Sequence, residues 1–368
     1  FGQTAFIVDP GTYSFKAGLS GEENPSCIVD SCIYKPKYRK IFSKEDTDIV
    51  GKPAEFSGLY QPRRTYANGV FKNTDEVKAL FNRIFNDIKG NQAFKDTPVF
   101  LTEKLFTPLA QKIHLAKFLF ETNNMPKIFF ATQPVLSLFA SGKTDGLVIE
   151  SGETFTQIVP VYSGYKMDFF ARKIDFGGAN VTLKYKNLFA QHNSSFLNIE
   201  GMSLFDQMKK ETLEVKNNQN SAFKKSSTDR LKYELPDGRA VDIGKERFEA
   251  AEIIFEKEPG NRTWNGMAKF VIEDAQRIDP ELQKHLYKSI YISGGNTIVK
   301  GFPERLVDEL HALVPGKEFN INLSNNDRTL LAWKGASLVC HLSSFNSMWI
   351  TKKDMEDIGE RIFLSKIL

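Results

Sequence analysis

A chain of 368 residues is too long for one small core and predicts two domains of ordinary size. Its 41% apolar and 26% charged residues are those of a soluble globular protein, and a net charge of +4 is too small at this length to argue for nucleic acid. Three cysteines in no metal-ligand spacing suit a reducing compartment, cytoplasm or nucleus, and no apolar run approaches the roughly 18 residues of a membrane span.

In chain order, FIVDPGTYSFKAG (6–18) reads as a strand over 4–8, a glycine turn, and a hairpin partner over 12–19. Asp9 closes the apolar strand, where an unpaired charge is costly. Residues 31–68 carry Pro36, Pro53 and Pro62 among many charges and predict a small exposed lobe. Residues 74–88 put Val77, Leu80, Phe81, Ile84, Phe85 and Ile88 on one helical face, with Asn73 or Thr74 as cap. A buried strand follows at 97–103, a helix at 107–122, a strand at 127–132, and a helix at 134–141 with Pro134 in its tolerated first turn. Residues 146–164 then repeat the opening pattern, with Glu150 where Asp9 falls and Gly152 where Gly11 falls. The repeat predicts two related α/β halves. A helix-rich insert at about 179–232, a hairpin at 233–244, a strand-turn-helix at 290–313 and a helix over 330–345 complete the chain.

Glycine lets backbone N–H groups approach an anion with no Cβ in the way. Gly11-Thr12, Gly152-Glu153-Thr154, Gly177-Gly178 and Gly294-Gly295 all qualify as phosphate-cradling turns, and each is also compatible with a plain tight turn. Two carboxylates facing a polyphosphate would repel it unless a divalent cation lay between, which gives Asp9 and Glu150 a purpose as metal-holding groups. Lys16 would offset phosphate charge and Thr12 could donate a hydroxyl hydrogen bond. SGKTDG (141–146) is not a P-loop, because Ser137 stands where the first glycine is needed and a helix precedes it. The chain has neither a His-Glu-x-x-His helix nor a Gly-x-Ser-x-Gly elbow.

These segments resemble actin and the actin-related proteins over essentially the whole length. VDPGTYSFKAG is similar to the family's first phosphate hairpin, and TQPVLSLFASGKTDGLVIESGETFTQIVPVYSGY to its interdomain helix and second hairpin. YELPDG, ISGGNTIVKGFPERL, LLAWKGASLV and FNSMWITKKD follow in the family's order. The resemblance implies a two-lobed α/β ATPase fold of duplicated RNase H-like domains around a nucleotide cleft. Residues 1–140 would form the small lobe, with 31–65 its exposed part. Residues 141–329 would form the large lobe, with about 179–262 its outer part, and 330–368 would return to the small lobe.

By position, the resemblance implies that Asp9 and Glu150 hold Mg²⁺ or Ca²⁺ through water. Gly11, Thr12, Tyr13, Lys16, Gly152, Glu153, Thr154, Gly178, Lys209, Gly294, Gly295 and Asn296 would line ATP or ADP. Gln133 and Gln157 would sit beside the attacking water. Departures are equally specific. Glu150 replaces an aspartate. Glu153 carries the next acid position, with Thr154 where glycine is usual. Gln157 replaces a histidine, and an amide takes up no proton near neutral pH. Tyr13 replaces a glycine, Lys210 an acid, Thr329 a lysine, Ala179 and Asn180 a charged pair, and Asn68 a histidine. The chain is thus expected to bind nucleotide and to be at most a slow ATPase.

The loop over 36–51, about two residues shorter than in actin, bears Lys37, Arg39, Lys40, Lys44, Glu45, Asp46 and Asp48, which disfavours ordinary actin polymerisation. An apolar groove implied near Phe139, Thr144, Val339, Leu342 and Met348 would take a partner helix, or the chain's own tail. The implied role is a structural subunit of a cytoskeletal filament or multiprotein assembly, cytoplasmic or nuclear. TDIVGKPAEFSGLY and VKGFPERL resemble dynactin's filament-forming actin-related subunit more than actin. The assembly would be dynactin-like, ciliary or other, and a freestanding ATP-hydrolysing polymer or a chromatin-remodelling subunit is the alternative. Neither membrane insertion nor direct nucleic-acid binding is expected.

Overall fold

The computed structural model describes residues 3–37, 48–51, 60–67, 69–88, 96–196, 202–215, 230–257, 263–324 and 326–366. The chain divides into two compact units. The first is Phe1–Val148, Val161–Met167 and Ser324–Leu368; the second is Ile149–Pro160 and Asp168–Leu323.

The first unit opens with β1 (Phe6–Pro10), β2 (Ser14–Leu19) and β3 (Cys27–Asp30), an antiparallel meander in which Asp9 faces Lys16 and Ser14 faces Asp30. A second, small sheet joins β4 (Cys32–Pro36), β5 (Ile49–Val50) and β6 (Tyr60–Arg64), and β7 (Tyr66–Ala67) pairs with β8 (Val70–Phe71). Helix α1 (Thr74–Ile88) buries Val77, Leu80, Phe81, Ile84 and Phe85, the face its periodicity predicts. Asn73 caps it, accepting from the amides of Asp75 and Glu76 at 2.8 and 3.3 Å.

Then β9 (Val99–Glu103) runs parallel to β1, with Leu101 beside Val8, and β10 (Lys127–Thr132) parallel to β9. Between them the sequence predicts one helix over 107–122. The structure instead has α2 (Leu109–Lys117) and a π-helical turn over Phe118–Thr122. The wider turn buries Phe118, Leu119 and Phe120 in succession, more than a regular α-helical stripe places inward. Helix α3 (Gln133–Ala140) starts directly at the end of β10.

The two-residue period of these strands splits their side chains between two cores. Phe6, Val8, Leu101 and Phe130 pack with α1 and with Phe118 on one face. Ala5, Ile7, Phe100 and Phe129 pack with Leu136 and the later residues Trp333 and Phe345 on the other.

In the second sheet β11 (Gly146–Ser151) lies beside β12 (Thr156–Tyr162), which also carries β13 (Tyr165–Lys166) and β14 (Arg172–Ile174). Helices α4 (Gly178–His192) and α5 (Ser203–Thr212) pack on each other. A hairpin of β15 (Leu231–Glu234) and β16 (Ala240–Ile243) forms at the Asp237-Gly238 turn, and β17 (Ile290–Ser293) with β18 (Ile321–Asn322) completes the sheet on the far side of β11. Helix α6 (Phe302–Leu313) begins just after Gly301. Trp264, fully buried, stacks on Phe176 at 3.8 Å and gives its indole N–H to the carbonyl of Ile253.

Returning to the first unit, α7 (Leu331–Cys340) crosses α3 so closely that a Cβ on Gly335 would lie 1.8 Å from the carbonyl oxygen of Leu136. Finally β19 (Ile350–Thr351) adds to the outer edge of β10, and Ile362 and Phe363 close the first core.

Candidate functional site

Asp9 is 2% exposed, and its charge is fully engaged. Lys16, its register partner on β2, pairs with Oδ2 at 3.2 Å. Thr102, one residue past Leu101 on β9, donates its hydroxyl to Oδ1. Gln133 opens α3 from the end of β10, and its side-chain N–H donates to Oδ1 at 2.6 Å and to the Thr102 hydroxyl at 3.2 Å. Groups from β2, from β9 and from the first residue of α3 thus converge on one carboxylate. Burial pushes its pKa up, but the Lys16 charge and the hydrogen bonds from Thr102, Gln133 and Lys16 prevail and hold it below 3.8.

The turn beyond Asp9 is held through its carbonyl oxygens. Lys104 Nζ donates to Pro10, Ser31 Oγ to Gly11, and Arg64 Nη1 to Thr12 and Tyr13 at 3.5 and 3.1 Å. The Ser31 amide also donates to Tyr13, at 2.9 Å. Arg64 lies over the Tyr13 ring at 4.9 Å, and the Lys104 ammonium is 3.8 Å from the Tyr66 ring centre. Gly11 is required here, since a Cβ would stand 2.6 Å from the carbonyl oxygen of Ser14. Thr12 is buried.

The second hairpin has the same outline and different chemistry. Glu150, half-buried on β11, accepts from the Gln157 amide at 3.1 Å and from the Ser293 hydroxyl at 3.5 Å. Gln157 itself is fully buried. The Gly152 amide closes the turn on Phe155 at 3.1 Å, and the buried Thr154 hydroxyl has no hydrogen-bond partner among the described residues. The first amides of α4 dock here: Gly178 donates to Gly152 and Ala179 to Glu153, at 2.8 and 2.7 Å. Asn180 accepts from the Gly177 amide at 3.0 Å. Asn296 donates to the Ser151 hydroxyl at 3.0 Å, while Gly294, at φ 88°, passes so close to Ser151 that a Cβ would be 2.3 Å from its carbonyl oxygen. Gly295 starts the short turn that follows.

Beside this hairpin, Lys209 donates to the carbonyl of Gly178 and the hydroxyl of Thr182 and pairs with Asp206 at 2.9 Å. Lys210 takes the other oxygen of Asp206 at 2.8 Å. Burial raises the Asp206 pKa, but the Lys209 charge and bonds to both lysines bring it down to about 2. A Cβ on Gly178 would lie 3.1 Å from Glu153 Oε2 and 3.4 Å from Lys209 Nζ, so the three residues form one cradle.

Elsewhere in the first unit, Asp327 Oδ1 accepts from the amide and the hydroxyl of Thr329. Of the groove residues, Leu342 is 54% exposed and Thr144 is exposed. Phe139 and Met348 are half-buried against the second core, and Val339 is inside it. Asn68 and residues 38–47 lie outside the described residues.

Sequence reasoning missed Ser31, Arg64, Thr102 and Lys104. A signal existed for two of them: if β9 is parallel to β1, the residues following Leu101 must run alongside Asp9 and Pro10. Gly11, Gly177 and Gly294 each stand where a Cβ would come within 2.6 Å of a backbone carbonyl oxygen. Among the described residues no three His, Cys, Asp or Glu side chains group to hold a metal directly, and no helix is long and apolar enough to cross a membrane.

Two mixed sheets with helices packed on them, each sheet carrying an acid-tipped glycine hairpin, define a duplicated α/β protein. The sequence model of the family described as actin matches residues 2–367, and the chain belongs to the actin family. Membership makes it a nucleotide-binding, actin-like protein; ATP or ADP with a divalent cation is typical of that family.

Proposed function

We propose that the chain binds ATP or ADP with Mg²⁺ or Ca²⁺ and serves as a structural subunit of a cytoskeletal filament or multiprotein assembly in the cytoplasm or nucleus, hydrolysing nucleotide slowly. The first hairpin carries the binding half of this reading. Its acid is kept ionised by Lys16, Thr102 and Gln133, and its turn is tied from behind by its carbonyls. In this reading Thr12 and Lys16 hold phosphate, Asp9 and Glu150 orient water on the cation, and Gly178 and Lys209 border the nucleoside. When bound, the cation neutralises phosphate charge. Gln133 orients a water without accepting its proton. Gln157 supports slow turnover: its amide is committed to Glu150 and cannot serve as a base.

Acid extraction of the purified chain and chromatography of the extract should yield about one adenine nucleotide per chain. Single-turnover phosphate release should be slower than actin's. Release at or above actin's rate would overturn the slow-ATPase part. Sedimentation with ATP and salt should leave the chain soluble, and purification from its native source should recover a fixed set of partners. Pelleting alone would favour a freestanding polymer, and recovery with nucleosome-remodelling subunits would favour the nuclear assignment.

A further inference from the structure

Trans peptide geometry sets the carbonyl of one residue opposite to the N–H of the next. Ser31 draws the carbonyl of Gly11 to one side, and Arg64 draws that of Thr12. The amides of Thr12 and Tyr13 are thereby turned away from those side chains. Lys104 holds the preceding carbonyl, at Pro10, and is 4% exposed. Arg64 reaches the turn from the end of β6, Ser31 from between β3 and β4, and Lys104 from just after β9. Three segments distant in sequence therefore brace one four-residue turn, and two of the three braces are cations.

Each brace is itself held. The guanidinium of Arg64 stacks on Tyr13, so the ring of the turn residue fixes the donor that grips its own carbonyl. The Lys104 ammonium is lodged over Tyr66, whose ring packs against Phe15 at 5.9 Å and Phe71 at 4.8 Å. A turn stapled in this way keeps its amides aimed before any ligand arrives, which lowers the ordering cost of binding.

We infer that Arg64 and Lys104, with Ser31, are positioning residues for phosphate. Ser31 and Arg64 hold the amides of Thr12 and Tyr13 in a preset anion-binding arrangement, Lys104 steadies the Pro10–Gly11 peptide, whose N–H closes on the Asp9 carbonyl at 3.0 Å, and together they give the site its preference for nucleoside polyphosphates over nucleosides. This rests on the nucleotide reading above and extends it to side chains that touch the turn from behind.

The test compares Arg64→Met, Lys104→Met and Ser31→Ala with the unmodified chain, using calorimetry with Mg-ADP and, separately, adenosine. Losing a charge-assisted bond to the turn should weaken Mg-ADP about tenfold or more while adenosine affinity stays unchanged. Arg64→Lys, which keeps one donor and the charge, should recover part of the loss. A merely structural role would weaken both ligands together or neither, and either result overturns the inference. If the buried Lys104→Met chain does not fold, the half-exposed Arg64 pair decides alone. Should the unmodified chain bind no Mg-ADP, the nucleotide reading fails and this one with it. Should it bind while all variants bind equally, only the brace is wrong.

Discussion

The two hairpins share a backbone plan and divide its chemistry. Asp9 is buried and balanced by a lysine directly across the strand pair, whereas Glu150 is half-buried and bonded by a neutral amide and a hydroxyl. The first turn is gripped from behind by side chains; the second is gripped by the opening amides of a helix. The turns also close differently: the Gly11 amide donates to the Asp9 carbonyl at 3.0 Å, the Gly152 amide to the Phe155 carbonyl at 3.1 Å. A buried charge pair depends on both of its members, because removing one leaves the other uncompensated.

The largest contrast expected is between Asp9→Ala and Glu150→Gln. Removing Asp9 leaves Lys16 with no counter-charge there and should cost about 3 kcal/mol or more, and nucleotide should then no longer raise the melting temperature. Glu150→Gln keeps the acceptor oxygen and should cost about 1 kcal/mol or less. Calorimetric melting with and without Mg-ADP checks both, and equal losses would erase the distinction between the copies.

Glycine substitutions sharpen the same point. Gly11→Ala forces a Cβ against the carbonyl of Ser14 and should cost about 1–3 kcal/mol in a urea titration. Gly152→Ala meets its nearest atom at an ordinary 3.7 Å and should fall within about 0.5 kcal/mol of the unmodified chain.

Acid titration separates the regions further. The Asp206 pKa falls on folding from 3.8 to about 2. The sign follows: its stabilisation is present above the unfolded value and is lost as pH drops toward the folded one. Asp206→Asn should cost about 2 kcal/mol at neutral pH, and the gap should close between about pH 4 and pH 2. Asp9, also depressed, loses its contribution in the same sense below 3.8. Chemical denaturation at pH 7 and pH 3 reads the difference.

Gln157→His places a group able to take a proton at a fully buried position bonded to Glu150. It should cost about 1 kcal/mol in calorimetric melting and raise single-turnover release roughly a hundredfold at most. An unchanged rate would place the bottleneck elsewhere.

Much of this was legible in the sequence, because it depended on neighbours along the chain. The period of 74–88 is met by α1, and the Asp237-Gly238 pair makes its hairpin. Asp9 and Lys16 face each other because a hairpin makes them register partners. What stayed hidden came from across the sheet. Thr102 and Lys104 lie more than ninety positions from Asp9 and Pro10, and only the parallel pairing of β1 with β9 joins them. Arg64 reads as one more charge in a polar segment until its backbone partners are seen. The π-helical turn at Phe118–Thr122 was hidden for another reason: three successive apolar residues widen the buried face but do not say which helical turn accommodates them.

The crossing at Gly335 reaches further than its own packing. Leu136, whose backbone it touches, lies one turn along α3 from the glutamine that steadies Asp9. A saturation library scored for nucleotide retention should therefore leave position 335 as blank as position 11, although no ligand atom need come near it. Natural drift at this contact would be throttled by helix spacing alone.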